Sequence, residues 1–190
     1  MTDPAPVQVS INSKAGSPAL RIADGIGHLL DRLAVSVSVA SVVVIFFALM
    51  AEVVVRYFTS AGLGWPNEVP NLLFPWLIMG GIVVGAQRGA HIAAEALRSM
   101  LDTARLRLLL MGINLLVAVS FSVLAFLSLQ VIAITKAQVF PMTGLGQAWA
   151  YSSLLFGFGG IALAAVVNLV RVACAADPRL IHQTETEHMT

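Results

Sequence analysis

Residues Trp65 to Ile92 read WPNEVPNLLFPWLIMGGIVVGAQRGAHI, and the fold follows from how this stretch is read. Glu68 and two tryptophans stand toward one end, Arg88 and His91 close the other, and an apolar run lies between. As an α-helix, Val69 to Ala86 would rise about 27 Å, against about 30 Å of bilayer hydrocarbon. Trp65, Trp76 and Arg88 are the residue types that settle at the interfaces. The stretch therefore reads as a membrane span whose two ends are chemically distinct.

The rest of the chain supports a membrane reading. Of its 190 residues 58% are hydrophobic and 11% charged, whereas soluble domains run at about 25% charged. The expected class is an all-α polytopic membrane protein with four transmembrane helices and one amphipathic membrane-surface helix between spans two and three. A net charge of +1 without a basic tract gives no support to nucleic-acid binding. Cys174 is the only cysteine, which excludes an intrachain disulfide and a cysteine-based metal cluster.

Working outward, residues 1–19 are polar and rich in Pro, Ser and Asn and read as a disordered cytoplasmic tail. They lack the basic start and adjoining apolar core of a signal peptide. Residues 20–32 carry apolar side chains at helical spacing, including Ile22, Ile26, Leu29 and Leu30, and suit an amphipathic lead-in at the headgroups. A membrane domain over 20–176 then holds spans at about 33–55, 69–87, 108–135 and 148–174. Span one is rich in Val, but in lipid the backbone must bond within its own segment, so a helix is expected. Pro75 lies inside span two and predicts a kink. Between spans two and three, about 92–105, Leu97, Met100 and Leu101 fall on one face while Glu95, Arg98, Asp102 and Arg105 fall on the other. This reads as a helix lying flat on the membrane. A cytoplasmic tail, 177–190, completes the chain.

Nine of the eleven basic residues fall in the N-terminal tail, the lead-in, the loop after span two, the last turn of span four and the C-terminal tail, while Arg56 and Lys136 lie on the other side. The positive-inside rule then makes both termini cytoplasmic.

Several side chains are candidates for structural or partner contacts. Glu52 and Arg56 are one turn apart, either a self-paired helix end or a charge turned toward a partner or a wet cavity. Glu68, after Asn67, either complements the start of span two or meets a partner at the outer surface. Arg88 and His91 either anchor the inner end of span two or tie it to the flat helix or another protein. Asn114, Gln130 and Asn168 suit interhelical hydrogen bonds, and Gly157, Gly160 and Ala164 form a smooth face for close helix approach. No catalytic, cofactor-binding or metal-ligating constellation is present, and an enzyme is not expected.

Arg56-Tyr57 at the end of span one, Trp65, Glu68, Trp76, Gly80-Gly81 and the run Arg88-Gly89-Ala90-His91-Ile92 resemble the small membrane subunit of tripartite ATP-independent periplasmic (TRAP) transporters, the DctQ-like family. Trp149 and Tyr151 before span four are in the same style. The resemblance implies a scaffold subunit in the bacterial inner membrane. Its implied partners are a large permease carrying substrate and sodium sites, a periplasmic solute-binding protein and membrane lipids, with an organic acid anion as the usual substrate. Two other readings compete. A haem-bearing anchor needs facing histidines within the bilayer, but His28, His91, His182 and His188 all lie at or beyond its edge. A small homodimeric exporter would use Glu52 as its cation site, although Glu52 is near the end of its span.

Overall fold

The computed structural model describes residues 18–59, 61–98 and 103–174. Among them are four long helices: α1 (Pro18–Thr59), α2 (Val69–Arg98), α3 (Thr103–Thr135) and α4 (Ala148–Cys174). A short 3₁₀ turn, Trp65–Asn67, leads into α2. All four helices are long and apolar enough to cross a membrane. The protein is an all-α, multi-pass membrane protein.

The helices run further than the apolar spans alone. α1 has 42 residues, about 63 Å. It joins the lead-in and span one in a single continuous helix. The lead-in joins the bundle because Gly27 lets α4 come close: a Cβ there would sit 3.0 Å from Arg171 Nη2 and 3.8 Å from Val167. α2 likewise continues unbroken to Arg98, and α3 begins at Thr103. The stretch expected as a separate surface helix is thus divided between the end of α2, the start of α3 and residues 99–102, which lie outside the described residues. Four alanines and a leucine follow Gly89, with no proline to stop the helix, so local propensity favours continuation. α2 also passes through Pro75 without losing its helical assignment.

α4 is the centre of the bundle. It packs against each of the other three helices, whereas α3 lies almost wholly on α4 and does not meet α1. Leu30 and Ala34 of α1, Val83 of α2, and Ile161 and Ala164 of α4 form the buried core, with Val117, Phe121 and Phe156 packed around it. The glycine face of α4 admits α2. A Cβ on Gly157 would lie 2.5 Å from Met79 Sδ, and one on Gly160 would lie 2.9 Å from Val83 Cγ2. Met79 and Val83 are one turn apart and so enter successive gaps in that face. On an adjoining side α2 touches α1 through Gly80, where a Cβ would meet Ser38 Oγ at 2.2 Å and the Ala34 carbonyl at 2.9 Å. Ser38 donates to the Leu77 carbonyl across this crossing at 3.3 Å. Lipid supplies little hydrophobic drive between helices, so such close approaches are the main source of their association.

Polar groups within the spans mostly satisfy themselves. Ser41, Ser122 and Thr135 donate to carbonyls one turn back. Asn114, expected to bond another helix, donates to Leu110 of its own helix at 2.8 Å. Neither Gln130 nor Asn168 bonds to another helix among the described residues.

Candidate functional site: a polar lattice at one end of the bundle

The buried charged residues among those described are Glu52 and Glu68, each 8% exposed. Both lie at the end of the bundle formed by the C-terminus of α1, the start of α2 and the α3–α4 loop.

Glu52 sits on the buried face of α1, in register with Ala34, Ser41 and Ala48. Its carboxylate turns back over the α1–α2 loop and accepts the Leu63 N–H at 2.9 Å and the Asn67 side-chain amide at 3.3 Å. Gly62 leaves room for it, because a Cβ there would come within 2.2 Å of Oε1. No ion pair joins Glu52 to Arg56 among the described residues, and Arg56 is exposed. The self-paired helix end is thereby corrected. The carboxylate satisfies the N–H of a loop residue that lies outside any helix, whereas an exposed ion pair contributes little.

Glu68 stands at the junction of the 3₁₀ turn and α2, and its own N–H bonds to the Trp65 carbonyl at 3.0 Å. Its side chain crosses to the α3–α4 loop rather than folding onto α2. Oε1 accepts the Met142 N–H at 2.9 Å, and Oε2 accepts both the N–H and the hydroxyl of Thr143 at 2.8 Å. Successive N–H groups in a tight turn form a small anion cradle, here filled by a carboxylate of the same chain. The loop is itself well defined. Phe140 N–H bonds to Leu145, Gln147 N–H bonds to Gln138, and Gly144 takes φ +67° at the turn. Gly64, at φ +80°, closes the gap between the loops, with the Met142 methyl 3.0 Å from where its Cβ would be.

Asn67 and Glu68 are sequence neighbours whose side chains reach different partners, Glu52 of α1 and the α3–α4 loop. The lattice therefore ties α1, the α1–α2 loop, α2 and the α3–α4 loop into one polar seam. Trp76 adds a second tie about two turns deeper. Its indole N–H donates to the Trp149 carbonyl at 3.1 Å, and its ring lies 5.3 Å from Trp149 and 5.8 Å from Phe156. The Trp65 side chain is half exposed and makes none of these contacts.

The other end of the bundle is held more simply. Arg171 of α4 pairs with Asp24 of α1 at 2.9 Å, and Arg107 of α3 donates to the Ala173 carbonyl of α4 at 2.5 Å. Arg88, His91 and Leu97 fall on the C-terminal part of α2, but their side chains lie outside the described residues, as do Met100 and Leu101 altogether. Sequence reasoning singled out Glu52 and Glu68 but missed Met142, Thr143 and the Asp24–Arg171 pair. These partners lie 74, 75 and 147 positions away along the chain, and no local pattern encodes such a distance.

Chemically, both carboxylates are engaged with backbone donors, and neither forms an ion pair among the described residues. Among the described residues no set of three or more His, Cys, Asp or Glu side chains is grouped to hold a metal ion. The arrangement fixes loops.

The chain matches known proteins over the same region. Residues 42–175 match the family described as tripartite ATP-independent periplasmic transporters, DctQ component. A putative TRAP transporter small permease protein of Haemophilus influenzae is 25% identical over 141 residues, 74% of this chain and 83% of the relative. An uncharacterized protein, y4mM, of Sinorhizobium fredii is 30% identical over 138 residues, 72% of this chain, which thereby spans only 25% of that relative's length. No solved structure matches. The family match takes in the C-terminal part of α1, from residue 42, and all of α2, α3 and α4, together with both glutamates of the polar lattice, and the chain belongs to the DctQ family, the small permease component of TRAP transporters.

Proposed function

We propose that this chain is a non-catalytic scaffold subunit of a sodium-coupled TRAP transporter for organic acid anions. In this reading it sits in the bacterial inner membrane with both termini cytoplasmic. It braces a large permease subunit that carries the substrate and sodium sites, and its outer loops help dock a periplasmic solute-binding protein. The observation that carries the reading is the state of Glu52 and Glu68. The buried carboxylates among the described residues are spent on Leu63, Asn67, Met142 and Thr143, so they serve the shape of the outer surface rather than an ion path.

The same observation weighs against a self-sufficient exporter. A transported cation at Glu52 would have to displace two existing hydrogen bonds in every cycle. The apolar stretch with Leu97, Met100 and Leu101 is assigned to bracing at the inner surface, a role tested by replacing all three with Asp and measuring recovery of the complex.

The deciding experiment is purification of the tagged chain from its native membranes in gentle detergent, with mass spectrometry of what accompanies it. Recovery of a near-stoichiometric multi-span permease supports the scaffold reading. Recovery of the chain alone as a homodimer, with transport by that homodimer in liposomes, refutes it.

A further inference from the structure

α1 is divided lengthwise into three faces near its N-terminus. Ala23, Gly27, Leu30 and Ala34 are buried in the bundle. Arg21, Asp24 and His28 form an exposed polar face. At the helical 100° per residue, a third face about 100° from the buried one holds Ile22, Ile26, Leu29 and Leu33. All four are exposed, Ile22 at 62% and Leu29 at 60%. The third face continues along the helix through exposed Phe47 to Phe58. The exposed stripe from Ile22 to Phe58 is therefore about 54 Å long.

A bilayer cannot cover a stripe of that length. Hydrocarbon about 30 Å thick spans roughly 20 helical residues, and a headgroup layer adds about 6 Å on each side. If hydrocarbon begins near Arg56, it ends near Val35, and Ile26 and Ile22 stand about 13 and 20 Å beyond it. Tilting α1 to about 40°, the upper end of the usual range, recovers only about six more residues. That tilt already carries Asp31 and Arg32 into hydrocarbon, and a steeper one would take Asp24 after them. Water is a poor neighbour for four aligned aliphatic side chains, and lipid does not reach the first of them.

From this mismatch we infer that the Ile22–Leu33 end of the stripe is a seat for the large permease subunit, where that subunit projects past the membrane on the basic side of the bundle. The inference rests on the scaffold reading above. Permease is favoured over a second copy because the matching segment of the Sinorhizobium fredii relative is fused to about three times its own length of other chain. A DctQ-like unit there has a larger partner at one to one. The seat also states what the partner surface must offer: an aliphatic strip about 17 Å long, with carboxylates along the edge that meets Arg21 and Arg32, both exposed beside the stripe.

The test uses the complex purified from native membranes. A photoreactive benzoylphenylalanine is placed at Ile26, and in a second sample at Leu116, which is 69% exposed on α3. Cross-linking to the large permease from Ile26 and not from Leu116 supports the seat. Permease present in the sample but linked only from Leu116, or a second copy of this chain captured at Ile26, overturns it and leaves the scaffold reading standing. If no permease accompanies the unmodified chain, both fail. The combined variant Ile22→Ser, Ile26→Ser, Leu29→Ser should insert and melt as before while recovering about tenfold less permease. Full recovery with that variant also refutes the seat.

Discussion

The crossing of α1 and α2 at Gly80 makes a prediction that its neighbour Gly81 controls. Replacing Gly80 with Ala puts a methyl 2.2 Å from Ser38 Oγ and 2.9 Å from the Ala34 carbonyl. Ser38 can turn away, giving up its 3.3 Å bond to Leu77, a loss of about 0.5–1.5 kcal/mol. The Ala34 carbonyl belongs to helix backbone. It lies about 0.4 Å inside an ordinary C···O contact, so α1 itself must shift, and overpacking of this kind costs about 1–3 kcal/mol. The gain in helix propensity from Gly to Ala returns about 1 kcal/mol. The net expectation is a loss of about 1–3 kcal/mol, or a melting point lower by roughly 2–10 °C for a chain of this length. Thermal unfolding of the purified protein in mild detergent reads it. A Cβ on Gly81 meets nothing within 4 Å, so Gly81→Ala should be neutral or slightly stabilising. Adding Ser38→Ala to Gly80→Ala should recover part of the loss but not the part due to Ala34, leaving a coupling of about 1 kcal/mol between the two sites. Equal melting points for the Gly80 and Gly81 variants would refute the close crossing.

Other perturbations read the two ends of the bundle. Glu52→Gln cannot accept from both Leu63 and Asn67 in the same way; it should destabilise by about 1–3 kcal/mol, visible as a lower melting point and faster exchange of the Leu63 amide. Glu68→Ala should raise hydrogen exchange at Met142 and Thr143 by about tenfold or more while leaving membrane insertion intact; unchanged exchange would mean the loop holds itself. Trp76→Phe keeps a ring beside Phe156 but loses the bond to Trp149, a destabilisation of about 0.5–1.5 kcal/mol in the same thermal assay. Asp24→Asn should change stability by less than about 1 kcal/mol, because the pair with Arg171 is half open to solvent; a larger effect would show that this contact is better shielded than its exposure indicates.

The sequence made the four spans legible because lipid imposes a simple rule, that an apolar run of sufficient length must close its backbone bonds on itself. The ends of the helices were less legible. Leu20 to Arg32 and Ile92 to Arg98 have the composition of surface helices, yet nothing in either stretch terminates a helix, and the chain continues straight into the adjacent span. The glycine face on α4 was readable as a place of close approach. That it receives Met79 and Val83 of α2 was not, since any smooth face accepts several partners. Glu52 and Glu68 stood out because charges near hydrocarbon are rare. Their hydrogen-bond donors could not be read, because Leu63 and Met142 contribute only backbone N–H groups, which every residue except proline carries.

The central place of α4 has a consequence for how the molecule is made. Membrane proteins enter the bilayer in chain order, so α1 and α2 can cross at Gly80 and Ser38 as soon as both have left the ribosome. α3 then arrives with almost nothing to hold, since it barely touches α2 and does not touch α1, and it must wait for the last helix. When α4 emerges it has to accept α3 along one side and take Met79 and Val83 into Gly157 and Gly160 along another. Biogenesis thus falls into an early hairpin, a solitary intermediate helix and a late closing step. Quality-control factors that survey unassembled spans would find α3 without a partner after the α1–α2 hairpin has closed and until α4 arrives.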